Sequence, residues 1–377
     1  MKKKKIIQFS IAFLLILNLA IWATGTTYIY KALLHLQANI DDLAIFDYNL
    51  VQNNGKGSPW LTTADKNKKP LSDSLRKTLE TTETVAFLVI KNDSICYEEY
   101  WDGYTDSSYS NSFSMAKSII SILVGVAIDE GKISSVKDPV GKYIPEYATG
   151  ELAKITIEDL LRMASGLNFH ESYATPINQT TDAYYGNNLR KLMYSLKAEK
   201  PAGIEFKYKS GDTQLLGLVL SAATGKSNSA YASEKLWSKI GAEHDAKWSV
   251  DHAGGDEKAF CCFYSNARDF ARIGKLYLQK GRWEGAQIVD SNWVNQSISS
   301  NGLNDENGNK TDYYGYQWWV LKNVNFPADY CRGILGQYIV VIPSKNTIIV
   351  RLGKKRGTQK LNNHPLEVIQ YINELAL

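Results

Sequence analysis

A nearly unbroken apolar run at residues 119–128 predicts a helix that is buried on all sides, and Ser114 and Lys117 stand at its start. Residues three apart lie on one face of a helix, with their Cβ atoms about 5–6 Å apart, so the lysine can reach the serine. Burial disfavours the ammonium form of lysine. A neutral amine beside a serine hydroxyl is a general base beside its nucleophile. The run therefore predicts a reactive serine at the start of a core helix.

The same Ser-x-x-Lys spacing occurs twice more, and the context separates the three copies. Ser74 and Lys77 lie in a polar, charged stretch that offers nothing to bury the lysine. Ser134 and Lys137 lie between a glycine and a proline, where helical geometry is disfavoured. We therefore expect only the Ser114 copy to be reactive.

The composition of the 377 residues, 44% hydrophobic and 22% charged, is typical of a large folded body. The net charge of +4 equals the charge of the lysines at positions 2–5, so the rest of the chain is close to neutral. A chain without a basic face is not expected to bind nucleic acid. We also expect no metal and no organic cofactor, because the five histidines are scattered and no Cys-x-x-Cys pair occurs.

The four cysteines, Cys96, Cys261, Cys262 and Cys331, are too few for a disulfide framework. A bridge between the adjacent Cys261 and Cys262 would be awkward to form. We interpret the cysteines as buried small apolar residues, with a single disulfide as the alternative.

The N-terminus carries a membrane signal. Residues 6–30 are uncharged and follow four lysines, which indicates one membrane-spanning helix of about 20 residues. The lysines would stay on the cytoplasmic side. We predict residues 1–30 to be a membrane anchor or an uncleaved signal, with the body outside the cytoplasm in a bacterial cell envelope. A cleaved signal peptide is the alternative, although no A-x-A site follows the apolar run.

The remaining chain divides into a linker at 31–79 and a folded domain at 80–377. The domain begins with a predicted hairpin, 84–90 and 94–101, and ends with strands at 316–321, 334–342 and 347–352 and a helix at 366–376. Helices are predicted between these ends, at 157–164, 212–224, 230–240, 267–279 and 291–297. Strands at both extremities predict an α/β (α+β) fold, in which an antiparallel sheet is flanked by helices and carries a mostly helical insertion.

A second candidate for chemistry is a loop with the pattern Tyr-x-Ser at Tyr208 and Ser210. A loop tyrosine can reach the serine without the packing constraints of a helix. Its phenol, with the pKa lowered by a nearby ammonium, would pass a proton to a leaving group. The alternatives are an ordinary surface tyrosine and, for Ser210, a cap of the helix that follows.

Five stretches in this order resemble the serine beta-lactamase-related family, which includes class C beta-lactamases, D,D-peptidases, family VIII esterases and 6-aminohexanoate-dimer hydrolase. They are SFSMAKS at 112–118, ITIEDLLRMASGL at 155–167, YKSGDT at 208–213, ARDFARIG at 267–274 and GILGQY at 333–338. Ser-x-x-Lys is the first motif of the penicillin-recognising enzymes. The resemblance implies a beta-lactamase/D,D-peptidase-like fold over most of the chain.

One family motif is absent from the sequence. Lys-Thr-Gly, whose lysine helps to hold a substrate carboxylate, does not occur. The best-placed segment is Cys331-Arg332-Gly333, just before the predicted strand at Ile334. Gly333 would let substrate lie against the strand edge, and Arg332 would offer a cation. This replacement, with Tyr-x-Ser for Tyr-x-Asn, resembles the esterase and 6-aminohexanoate-dimer hydrolase branch.

The resemblance implies an acyl-transfer site with Ser114 as nucleophile, Lys117 as base and Tyr208 as proton carrier. Ser210, Gly333 and Ile334 would bind substrate, and the N–H groups of Ser114 and Ile334 would hold the oxyanion. The expected partner is a small-molecule ester, amide or peptide substrate. The alternatives are a D,D-peptidase or beta-lactamase-like cell-wall enzyme and a non-catalytic protein that binds peptidoglycan peptides.

Overall fold

The computed structural model describes residues 2–173 and 175–375. Met1, Ala376 and Leu377, at the ends of the predicted ranges 1–30, 366–376 and 80–377, lie outside the described residues. The helices are α1 (Lys2–Thr24), α2 (Tyr28–His35), α3 (Asp73–Thr81), α4 (Met115–Asp129), α5 (Ile157–Leu161), α6 (Gln179–Tyr185), α7 (Leu189–Tyr194), α8 (Ser210–Thr224), α9 (Asn228–Ala232), α10 (Ala267–Leu278), α11 (Ser291–Ser297) and α12 (Leu366–Leu375).

The strands are short except in the main sheet. They are β1 (Tyr48–Val51), β2 (Leu61–Thr62), β3 (Thr84–Lys91), β4 (Ser94–Tyr100), β5 (Ser110–Asn111), β6 (Glu205–Phe206), β7 (Ala246–Ser249), β8 (Phe263–Ser265), β9 (Arg282–Trp283), β10 (Ala286–Gln287), β11 (Asn304–Asp305), β12 (Trp319–Leu321), β13 (Ala328–Gly333), β14 (Gln337–Ile342), β15 (Thr347–Gly353), β16 (Lys360–Leu361) and β17 (His364–Pro365).

The main sheet is built from both ends of the chain. Its order is β12-β13-β14-β15-β3-β4-β2, and all neighbours are antiparallel except the short edge strand β2 beside β4. Alternate residues of β3 serve two cores: Phe87 packs with α3 and α12, whereas Leu88 faces the helical side. The predicted α/β fold class is confirmed.

The helical region contains two long buried helices, α4 and α8, which pack against each other. Every residue of α4 from Met115 to Ala127 is buried, as the apolar run predicted. Helix α5 begins with a capping box, in which Thr156 accepts from the N–H of Asp159 and the Asp159 carboxylate accepts from the N–H of Thr156.

The C-terminal strands differ from the prediction in one place that concerns the site. The predicted strand 334–342 begins only at Gln337, because residues 334–336 form a tight turn with Leu335 at φ 60° and Gly336 at φ 84°. The Arg351 guanidinium donates to the carbonyls of both turn residues, at 2.9 and 2.7 Å. The preceding strand β13 was not predicted, and it ends at Gly333.

Two further predictions differ from the structure. Residues 31–79, predicted as a linker, are built into the body: β1 pairs with β7, β2 pairs with β4, and α3 packs beside α12. Cys261 and Cys262, interpreted as unbridged, form a disulfide with each other. Within this small ring, Cys262 takes a left-handed backbone conformation, with φ 63°. Both cysteines are buried, as predicted.

Candidate active site

Ser114 stands at the junction between a short strand and the buried helix. Strand β5 ends at Asn111, and Ser114 is the residue before α4. Phe113 between them has a positive φ of 44°, which is uncommon for a bulky residue and marks local strain. The Phe113 N–H donates to the Asn111 Oδ1 at 2.9 Å, which holds the turn in shape. The turn therefore presents the Ser114 side chain at the start of the helix.

Lys117 lies one helical turn beyond Ser114 and is completely enclosed. Its Nζ donates to Ser114 Oγ at 3.1 Å, to Ser210 Oγ at 3.1 Å and to the Phe260 carbonyl at 2.9 Å. Burial lowers the pKa of Lys117 to about 8, against a smaller opposing effect of the Glu171 carboxylate. The amine in contact with the serine is therefore neutral in about a tenth of the molecules at pH 7 and in about half of them at pH 8.

Tyr208 completes a cluster of three side chains. Its phenol has the Ser114 side chain as a polar neighbour, and the Lys117 Nζ lies 5.2 Å from the centre of its ring. The ring is held by Tyr314 and Trp319, with ring centres 6.0 and 5.9 Å away. The expected lowering of the phenol pKa is wrong: burial raises the pKa of Tyr208. The side chain therefore stays a protonated phenol at neutral pH and is suited to donate.

Ser210 has partners on both sides. Its Oγ accepts from Lys117 and donates to Glu171 Oε1 at 2.9 Å. Its N–H, at the start of α8, donates to Glu171 Oε2 at 2.7 Å. Glu171 therefore caps the helix, and Ser210 lies between the lysine and this carboxylate.

Glu171 was not identified from the sequence. It stands in a polar loop 39 residues from Ser210, and nothing in its own surroundings distinguishes it from the chain's other surface carboxylates. The only available signal was its position shortly after the family-like stretch 155–167. Tyr173 donates to the same carboxylate at 2.6 Å.

Gly333 and Ile334 lie beside the turn that carries the serine. A Cβ added to Gly333 would be 2.4 Å from the Ser112 carbonyl oxygen and 3.2 Å from the Phe113 Cβ. Such a contact is too close for any side chain, so glycine is needed for the end of β13 to approach the serine. Ile334 follows at once in the turn, so its backbone is close to the same residues.

Arg332, the cation predicted to replace the missing lysine, lies over an aromatic ring. Its guanidinium carbon is 4.5 Å from the centre of the Trp319 ring, which in turn packs beside Tyr208. The guanidinium also donates to the Asn363 carbonyl at 3.1 Å. Arg332 is therefore separated from the reacting cluster by one ring.

A second group of residues that was not predicted holds Asn111, at the start of the turn that leads to Ser114. The Asn111 N–H donates to the Ile40 carbonyl at 3.0 Å, and its side-chain amide donates to Tyr264 at 3.1 Å and Tyr184 at 3.5 Å. Tyr184 donates in turn to the Asp42 carboxylate at 2.7 Å. These contacts join residues 40–42 to the turn over a sequence distance that no local pattern reveals.

The site contains no candidate metal centre. Within residues 2–173 and 175–375, no three His, Cys, Asp or Glu side chains cluster as metal ligands would. The chemistry available here is that of a hydroxyl, an amine and a phenol.

Residues 73–371 match the family model described as Beta-lactamase. This chain belongs to the beta-lactamase family. The beta-lactamase fold carries serine hydrolases, so the predicted family membership and the prediction of an enzyme are confirmed.

Relatives within the beta-lactamase family include hydrolases of two kinds. The chain is 29% identical over 298 residues to 6-aminohexanoate-dimer hydrolase of Paenarthrobacter ureafaciens, covering 74% of each. It is 24% identical over 262 residues to teichoic acid D-alanine hydrolase of Staphylococcus aureus (strain MRSA252), covering 65% of this chain and 60% of that protein. A Bacillus anthracis protein assigned to the 6-aminohexanoate-dimer hydrolases shares the fold, with a TM-score of 0.78 at 24% identity, covering 89% of this chain and 91% of its own.

Proposed function

We propose that this protein is a membrane-anchored extracytoplasmic serine hydrolase that cleaves ester or amide bonds through an acyl-enzyme. The observation that carries the proposal is the contact of the buried Lys117 Nζ with Ser114 Oγ at 3.1 Å, beside the half-buried ring of Tyr208. A hydroxyl paired with a base of lowered pKa is the arrangement that nucleophilic catalysis requires.

In the proposed mechanism, neutral Lys117 takes the Ser114 proton while Oγ attacks the carbonyl carbon. The bond between that carbon and the leaving oxygen or nitrogen then breaks, and Tyr208 donates its phenolic proton to the leaving group. The Lys117 ammonium then returns its proton to the Tyr208 phenolate, which restores both groups while the serine stays acylated. Water next attacks the acyl-enzyme, the same groups carry its proton, and the carboxylic acid leaves. Burial raises the pKa of Tyr208 and so keeps the phenol protonated, which means that the proton to be transferred is present.

The oxyanion would lie between the N–H groups of Ser114 and Ile334. The close approach of Gly333 to Ser112 and Phe113 supports this assignment, because it brings the two backbone segments together. Each such donor is typically worth about 10²–10³ in rate.

The substrate class follows from what the site lacks and from the relatives. Lys-Thr-Gly is absent, and Arg332, the cation predicted in place of its lysine, lies over the Trp319 ring. One relative is named for an amide dimer and the other for a D-alanine linked to teichoic acid, so both amides and esters are proposed as substrates.

The membrane anchor is proposed from α1. An 18-residue stretch within Lys3–Thr24 has a mean hydropathy of 2.2, and none of that stretch is buried in the body. A helix of 22 residues is long enough to cross a bilayer.

The test is covalent labelling of the full chain by a fluorophosphonate, together with hydrolysis of p-nitrophenyl esters. Ser114→Ala should lose both. Ser134→Ala is the matched control, since it removes the serine of another Ser-x-x-Lys copy that lies on the surface. Labelling and turnover that survive Ser114→Ala would end the proposal.

The D,D-peptidase or beta-lactamase-like alternative predicts covalent labelling of Ser114 by fluorescent penicillin. The binding-protein alternative predicts that peptidoglycan peptides bind without labelling by either reagent. The absence of Lys-Thr-Gly agrees with the binding-protein alternative, whereas the contact of Ser114 with Lys117 supports catalysis.

A further inference from the structure

Helix α2 begins directly after the proposed membrane span. Only Gly25, Thr26 and Thr27 separate α1 from α2. The Tyr30 hydroxyl of α2 donates to the Asn18 side chain of α1 at 2.6 Å. Asn18 is a polar residue inside an apolar span, and its amide also donates to the Leu14 carbonyl at 2.8 Å. These contacts keep α2 at the end of the span.

The two faces of α2 differ in their surroundings. Tyr28, Ile29 and Ala32 are buried, on the side where α2 packs against α6. Leu33 and Leu34, on the other side, are 58% and 77% exposed. Leu36, just beyond the helix, is 79% exposed. Large apolar side chains this exposed, beside a membrane span, are typical of a helix whose outer face lies in lipid.

Helix α2 is fixed to the body and is not a flexible tether. The His35 ring stacks on Tyr185, with ring centres 6.4 Å apart and an angle of 13°. The chain continues to Ile40, whose carbonyl accepts from Asn111 near the serine, and then to β1, which pairs with β7. The orientation of α2 therefore sets the orientation of the body.

The body also places a cation at the junction of α1 and α2. The Nζ of Lys191, in α7, lies 3.8 Å from the position that a Cβ on Gly25 would take. An ammonium at the end of a membrane span is well placed to meet lipid phosphates.

We propose that the outer face of α2, formed by Leu33, Leu34 and Leu36, lies in the headgroup region of the bilayer and seats the catalytic body on the membrane. This inference rests on the anchor and the hydrolase activity proposed above. The path from the membrane span to the serine runs from Thr24 to Ile40, crosses the hydrogen bond between Ile40 and Asn111, and continues to Ser114. Its length is at most roughly 50 Å. The serine therefore acts on acyl groups carried by membrane-anchored molecules in preference to freely diffusing ones.

The seating is tested with the full chain in liposomes of phosphatidylglycerol and phosphatidylethanolamine. An environment-sensitive fluorophore is attached at Leu34→Cys, in a Cys96→Ser background, and quenched by lipids spin-labelled near the headgroup. Leu61→Cys is the control, since Leu61 is 70% exposed on the edge strand β2. Quenching at position 34 should be several-fold stronger than at position 61. Equal quenching at the two positions would overturn the seating.

The substrate preference is tested with one fluorogenic ester in a water-soluble form and in a form tethered to lipid. The wild type should hydrolyse the tethered ester with at least tenfold higher kcat/KM. Replacing Leu33 and Leu34 by glutamate should abolish this preference and leave the rate on the soluble ester within about twofold. A preference that survives the double substitution would overturn the inference. If the wild type hydrolyses neither ester, the hydrolase proposal fails, while the quenching still reports on the seating.

Discussion

At the scale of single residues, the proposed mechanism makes the reactivity of Ser114 depend on the charge of Lys117. A buried ammonium donates all its hydrogens and cannot accept the serine proton, whereas the neutral amine can. Burial lowers the pKa of Lys117 to about 8, and the Glu171 carboxylate opposes this shift. The two effects place the change of charge within the working range of an enzyme.

The pH profile of hydrolysis should follow this charge. Below pH 8, kcat/KM for a neutral ester should fall about tenfold per pH unit, since the neutral fraction of Lys117 falls by that factor. Glu171→Gln removes the charge that raises the lysine pKa, so the acidic limb should move to lower pH. Glu199→Gln, at an exposed glutamate, is the control. If the acidic limb of the kcat/KM profile lies at the same pH in Glu171→Gln as in the wild type, this account is contradicted.

The same shift has a consequence for stability. The pKa of Lys117 is lower in the folded chain than its ordinary 10.5, so its protonation costs stability in full below pH 8, and the cost disappears above pH 10.5. Lys117→Met should therefore abolish turnover and raise the free energy of unfolding by about 3 kcal/mol at pH 7 and about 1 kcal/mol at pH 10. Urea unfolding followed by tryptophan fluorescence measures both. A variant destabilised at both pH values would show a structural lysine.

The support behind the serine makes a separate prediction. Tyr184→Phe keeps the ring but removes the hydroxyl that joins Asp42 to Asn111. We expect kcat to fall roughly fivefold with little change in KM, because about 1 kcal/mol of positioning is lost. Tyr231→Phe is the control, since it also removes a hydroxyl bonded to a carboxylate, that of Glu130. Equal effects of the two variants on kcat would rule out a positioning role.

At the scale of elements, the end of β13 and the turn after it set the distance between the two proposed oxyanion donors. Gly333→Ala would place a Cβ 2.4 Å from the Ser112 carbonyl, so the strand end must move away. We expect activity to fall about 100-fold with the fold retained, as for the loss of one oxyanion donor. Ile334→Val, which keeps the backbone N–H, should stay within a few-fold of wild type. Ester hydrolysis and thermal unfolding together measure the effect, and an active Gly333→Ala variant would contradict it.

The elements differ in how well the sequence predicts them. Strands β3 and β15 are continuous β-branched and apolar runs, so their buried positions were predicted nearly to the residue. Strand β13 contains Asp329, Arg332 and Gly333, which are not typical of a strand. It was missed because it is held by pairing with β12 and β14. The turn at residues 334–336 was missed because its geometry depends on Arg351, a side chain from another strand.

The candidate site was predictable to a similar degree. The approach of Lys117 to Ser114 follows from helical spacing alone, so that contact could be predicted from the sequence. The approach of Tyr208 came from the order of motifs within a family. Glu171 and Asp42 act through contacts between distant segments, which neither periodicity nor motif spacing encodes.

At the scale of the whole molecule, the region before the family domain belongs to the body. A fragment that begins at residue 26 keeps α2, β1 and the contact of Ile40 with Asn111. A fragment that begins at residue 73, where the family match starts, loses all three. We expect the longer fragment to be labelled by fluorophosphonate at the wild-type rate and the shorter one to be labelled at least tenfold more slowly, with a lower Tm. Equal labelling of the two fragments would show that residues 26–72 are dispensable.

The closure of the main sheet by strands from both extremities has a consequence during biosynthesis. Strand β3 emerges from the ribosome early, but one of its two neighbours, β15, is among the last strands to be made. Contacts between such distant segments form late and slowly. A nascent chain can already hold Ser114 beside Lys117 while residues 333 and 334 are still untranslated. Under the proposed mechanism, Ser114 then lacks its second oxyanion donor, so we expect the unfinished polypeptide to be inactive until translation is nearly complete.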